Sequence, residues 1–138
     1  MRDGVKIRLL VGIYGLGSLF DNSTTYIYAV KLGLYHEANP LRIPVVYGYP
    51  LWMWFLVDFA CLALILAASL LYRRMVLRFA CKEVDANKRR RHLWLAEKWW
   101  IAPAIMASLR LLPVIHNLLL IYFGFETPLP KLICMLPG

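Results

Sequence analysis

At 138 residues, 61% of them hydrophobic with a mean hydropathy of +0.59, the chain is one domain long and too apolar for an ordinary soluble fold. Its formal charge of +8 invites a nucleic-acid partner, but nine Lys and Arg crowd between positions 73 and 98 against only Glu83, Asp85 and Glu97. A basic block directly behind an apolar run is an orientation signal and a contact for anionic lipid, which argues against nucleic acid.

A spanning helix needs about 20 mostly apolar residues. Three windows reach that length: residues 9–34, 50–72 and 99–125. The expected fold is all-α: a polytopic membrane protein with one transmembrane domain over residues 1–138, a three-helix transmembrane bundle with a kinked third helix, and a basic cytoplasmic loop at 73–98. Arg2, Lys6 and Arg8 place the N-terminus in the cytoplasm as well, leaving the 34–49 connection and the C-terminus outside a multi-pass cell membrane protein. Those same N-terminal charges mimic a signal peptide. No small-x-small cleavage site precedes Asp21, so the segment reads as a retained helix.

Along the first window, Tyr14, Gly17, Ser18, Asp21, Thr24, Thr25 and Tyr28 fall at three- and four-residue steps, forming one polar or small stripe that should face protein or water. Gly15 and Gly17 allow a neighbouring helix to approach closely. Gly33 and the Asn39–Pro40 step then punctuate the chain, putting Asn39 in a turn or shallow re-entrant loop. Pro44 and Pro50 keep the connection irregular up to the second helix. Trp52 and Trp54 with Tyr47 and Tyr49 form an outer aromatic belt, and Trp94, Trp99 and Trp100 an inner one.

The second window carries Asp58. Beyond it the helix is expected to run on as residues 73–80, with Arg73, Arg74 and Arg78 reaching lipid phosphates and Lys88, Arg89, Arg90 and Arg91 marking a polar turn with the same headgroup contact. In the third window Pro103 and Pro113 are interruptions, and Pro113 crowds the carbonyl of Leu109, so the kink belongs beside Arg110. The three cysteines are dispersed, without metal or disulfide spacing, and read as free thiols.

Depth sets the candidate site. At about 1.5 Å rise per residue, Asp21 and Arg110 reach the midplane, Asp58 lies ~4–5 Å further out, and His116 and Asn117 lie ~9–10 Å beyond Arg110. Thr25 and Tyr28 climb to similar levels, below Glu37 and Asn39 in the loop. Arg110 and Asn117, seven residues apart, share a helix face. A buried guanidinium needs an anion, and two candidate carboxylates around one Arg leave an excess negative charge. That excess points to a protonated Asp, a charged His116 or a bound cation. Against it stands a structural ion-pair network among Asp21, Asp58 and Arg110, since polar groups also join membrane helices.

The pair Asp21-x-x-Thr24-Thr25 and Glu37-x-Asn39-Pro40 resembles a family of small prokaryotic integral membrane proteins of unknown function, over residues 10–42 with a looser echo at 110–117. The resemblance implies a polytopic membrane protein in which Asp21, Thr25, Glu37 and Asn39 are shared features.

The function expected is that of a helical subunit or scaffold of a membrane complex, partnered by lipid and by further copies or other membrane subunits, with a buried polar cluster in its outer half. One alternative is a proton- or cation-handling component lined by Asp21, Asp58, Arg110 and His116. Another is a membrane-embedded metal-dependent enzyme, with Asp21, Glu37 and His116 as metal ligands or Glu37 and His116 as base and acid. No nucleophile elbow or phosphate loop supports catalysis, and no cofactor is indicated.

Overall fold

The computed structural model describes residues 3–34, 36 and 42–124, and every element among them is helical. Glu37, Asn39, Cys134 and the 125–138 tail lie outside the described residues. Helix α1, Asp3–Thr25, opens with Asp3 in its first turn, where a carboxylate complements the helix dipole. It widens into a π-helical segment, Tyr26–Lys31, closed by Leu32 and Leu34 donating to the carbonyls of Ile27 and Tyr28 at 3.0 and 2.9 Å. Gly33, at φ +64°, takes the left-handed conformation that ends the run.

A short helix α2, Ile43–Gly48, follows, and α3, Leu51–Lys82, comes next. At ~1.5 Å per residue the 32 residues of α3 extend about 48 Å, some ten residues past the apolar window. The continuation expected through residue 80 is present. The polar turn expected at 88–91 is not: the reversal occupies residues 83–85, and α4 covers Ala86–Glu97. Two causes favour this placement. Asp85 caps α4 by accepting from the backbone N–H groups of Asn87 (2.8 Å) and Lys88 (3.3 Å). Lys and Arg are also good helix formers, so a run of four cations is a solvated helix face rather than a breaker. The stretch 73–98 is therefore a helical hairpin, with Val76, Ala80 and Ala96 buried as α4 returns along α3.

Helices α5, Ile101–Leu109, and α6, Leu111–Phe123, are the last described elements and meet at Arg110. The described prolines all lie at helix starts. Pro44 is in the first turn of α2 and Pro50 directly precedes α3, while Pro103 and Pro113 each occupy the third position of their helices. The first N–H groups of a helix have no intrahelical acceptor, so proline costs little there. Pro103 accordingly begins α5 rather than interrupting it. Pro113 begins α6, and the helical run breaks at Arg110 just ahead of it. Pro44 likewise organises a helical turn where irregular chain was expected.

α1 packs against α3, α5 and α6. Leu10, Tyr14, Leu62 and Ala107 form the buried apolar centre, flanked by Ile13, Leu66, Ala104 and Met106. The opposite faces are apolar and open, as at Leu16, Leu19, Leu56, Leu64, Leu71, Ile105 and Leu109. Leu51–Lys82 and the run Ala86–Phe123 are long and apolar enough to cross a membrane by length and composition. The first window is helical through Lys31, but with polar residues 21–25 inside it, α1 is not among the stretches that meet that measure.

The aromatic belts are revised in part. Trp52, Tyr47, Tyr49 and Trp94 are exposed, whereas Trp54 and Trp99 are buried. Each buried indole has found an acceptor: Trp54 donates to the carbonyl of Tyr49 at 3.0 Å, and Trp99 to the carboxylate of Asp3 at 3.4 Å. A satisfied N–H allows an indole to turn inward and pack. Trp54 also meets Tyr26 edge to face, 5.9 Å between centroids.

Candidate polar site at the helix junction

The stripe on α1 is buried as its spacing implies, at Tyr14, Gly17, Ser18 and Asp21, and Asn22 joins it. Ser18 and Asn22 are one helical turn apart, so their side chains fall together on the face toward α3. Gly17 admits Arg110: a Cβ at that glycine would stand 3.3 Å from both Cγ and the carbonyl oxygen of Arg110. At Gly15 a Cβ would make only ordinary contact with the Phe59 ring, so the close approach belongs to Gly17 alone.

Three helices and the segment ahead of α2 converge here. Arg110, at the α5–α6 break, forms an ion pair between Nη1 and Asp21 Oδ2 at 3.0 Å and donates from Nη2 to Asn22 Oδ1 at 3.1 Å, and its Nη2 also pairs with Asp58 Oδ2. Asp58 Oδ2 further accepts from Ser18 Oγ (2.6 Å) and Asn22 Nδ2 (2.9 Å). From α6, Asn117 Nδ2 donates to Asp21 Oδ1 at 3.1 Å and to Thr24 Oγ1 at 3.0 Å. Thr24 in turn bonds back to the carbonyls of Phe20 and Asp21. The shared face of Arg110 and Asn117 thus brings both to one carboxylate.

Arg42 corrects the charge reading. Its Nη1 donates to Asp21 Oδ2 at 2.6 Å and its Nη2 to Asn22 Oδ1 at 2.7 Å, a two-pronged grip on neighbouring side chains. Among the described residues two carboxylates therefore meet two guanidiniums, where one Arg was expected. Asn22 sits between the cations and the anions, its oxygen accepting from both arginines and its nitrogen donating to Asp58 and Ser18. Neither Arg42 nor Asn22 was singled out from sequence. The surplus carboxylate was itself the signal that a second cation was needed, and the Ser18-to-Asn22 spacing was the signal for the amide.

Asp21 is 1% exposed and Asn22 and Ser18 fully buried, so the Coulombic attraction acts with little water between the groups. Nε of Arg110 is also buried and, among the described residues, without a hydrogen-bond partner.

The other expected residues are placed as follows. Thr25 lies at the junction of α1 and the π-helical segment, Tyr28 within that segment, and His116 on α6 beside Asn117. Glu37 and Asn39 fall outside the described residues, as does one member of the expected metal triad. Among the described residues no three His, Cys, Asp or Glu side chains converge on a point. Cys61 and Cys81 are free thiols. Arg73 pairs with Asp3 at 2.7 Å. Arg74, Arg78, Lys88, Arg89, Arg90 and Arg91 are exposed on the helical hairpin. No family model, curated protein or solved structure matches the chain.

Proposed function

We propose that the protein is a small polytopic membrane protein that serves as a helical subunit or scaffold, with α1, α3 and the α5–α6 run as its spanning segments. The observation that carries this reading is the network of Asp21, Asp58, Arg42 and Arg110, two carboxylates with two guanidiniums among the described residues, set between helices whose outward faces are apolar. Charges at membrane depth need internal partners, and here each carboxylate accepts from fixed donors on other elements. Such a network sets which helices meet and in what register.

The orientation consistent with the basic block keeps the N-terminus and the α3–α4 hairpin cytoplasmic, with the cluster toward the outer half. Membership of the small prokaryotic membrane family belongs to the same proposal; its Asp21 and Thr24 are joined here through Asn117. Open apolar faces on α1, α3 and α5 fit further copies or other membrane subunits. Light scattering of the full chain purified in mild detergent tests the reading. Oligomers or a stoichiometric co-purifying subunit are expected, and a monodisperse monomer that brings no other protein overturns it.

The proton or cation pathway is the competing reading. Arg42 favours it, because its side chain is 20% exposed while touching the buried Asp21, so the cluster has one face open to solvent. Liposome flux abolished by Asp21→Asn with assembly intact would establish that pathway in place of the scaffold.

A further inference from the structure

Two hollows flank α5 near the end where α1 begins. One, of about 410 Å³, runs between α1 and α5 and is lined by Lys6, Leu9, Ile13 and Ala107. The other, of about 390 Å³, lies on the far side of α5 against Ile101, Ile105 and Leu112. Trp100, Ala104 and Ser108 line both, so the hollows are neighbours separated by the ridge these three side chains form. From Lys6 to Ile13 the first extends ~10 Å along α1 at about 1.5 Å per residue.

The mouth of the first hollow is cationic. Lys6 Nζ lies 5.6 Å from the centre of the Trp100 ring. The nearby carboxylate of Asp3 is occupied by Arg73 and the Trp99 indole, and among the described residues no carboxylate pairs with Lys6. An ammonium beside an indole, above two adjoining apolar hollows, is complementary to one kind of molecule: a negatively charged headgroup with two acyl chains.

We infer that the groove on either side of α5 is a binding site for an anionic diacyl phospholipid, with Lys6 holding the phosphate, Trp100 at the headgroup boundary, and one chain on each side of Ala104 and Ser108. This rests on the membrane reading above. It is separate from Arg89, Arg90 and Arg91 of the basic hairpin, which are exposed and line neither hollow.

Native mass spectrometry of the full chain, released from detergent containing equal dioleoyl phosphatidylglycerol and dioleoyl phosphatidylcholine, tests it. Phosphatidylglycerol should be retained about fivefold over phosphatidylcholine, the effect of one lysine near an anionic headgroup. Lys6→Gln should remove the preference. Ser108→Phe, at an exposed position lining both hollows, should remove bound lipid of either kind. Replacing Arg89, Arg90 and Arg91 together by Gln should leave the preference intact. Equal retention by the unaltered chain overturns the site, as does a preference that survives Lys6→Gln or disappears with the hairpin substitutions. Displacement by glycerol phosphate alone, as effective as by lipid, overturns the role of the hollows. Alkaline extraction of membranes separates the two levels: a chain released by carbonate defeats the membrane reading, whereas a chain retained without lipid preference defeats only this site.

Discussion

Among the described residues Asp pairs with Arg in two places, and the contrast between them shows how surroundings set the worth of the same chemistry. Where α1 begins, Asp3 and Arg73 form a single contact with side chains 39% and 34% exposed. At the α5–α6 break, Arg110 joins carboxylates that are 2% and 17% exposed, and Ser18, Asn22, Asn117 and Arg42 supply further hydrogen bonds. The first pair competes with water and ions and contributes little. The second has little water to compete with and cannot lose one member without stranding the others.

The largest effect that sharpens this contrast is expected from Arg110→Met. It leaves Asp58 without its guanidinium partner and Asp21 with Arg42, and should cost about 3–5 kcal/mol of stability, measured by reversible unfolding in mixed micelles. Removing Asp58 together with Arg110, as Asp58→Leu with Arg110→Met, should cost less than Arg110→Met alone, because no buried charge is then stranded. Additive losses in that double-mutant cycle would break the comparison by showing the two residues to be independent.

Gly17→Val is next. Its side chain enters a space where even a Cβ lies 3.3 Å from Arg110, and overpacking of this kind costs about 1–3 kcal/mol. Gly15→Ala, with ordinary contact to Phe59, serves as the control and should change stability little. Asn22→Leu should lose about 1–3 kcal/mol by leaving buried donors and acceptors without partners, read in the same unfolding experiment. The smallest effect belongs to the exposed pair. Arg73→Met should cost under about 1 kcal/mol and show still less in high salt, so a loss matching that of Arg110→Met would erase the distinction between the two regions.

Much of the site was legible because helical periodicity is a local property. The 3.6-residue repeat put Tyr14, Gly17, Ser18 and Asp21 on one face, and the seven-residue spacing put Arg110 and Asn117 on another. Depth along each apolar run then brought the charged residues to a similar level. Helix ends were less legible. The basic run at 88–91 looked like a turn by polarity, yet the boundary was marked by Asp85, whose N-cap chemistry starts α4. Pro103 looked like a break, yet lay where a helix start needs no donor.

Composition and periodicity by themselves determined an apolar, helical chain with one polar stripe and a basic stretch behind its most hydrophobic run. Only the tertiary structure decided that Arg42 returns to Asp21, that Asn22 stands between cations and anions, and that two guanidiniums meet two carboxylates among the described residues. The physical reason is that periodicity orders residues along one helix, whereas charge balance depends on which distant segments share a small volume with little water, and no local spacing records that meeting.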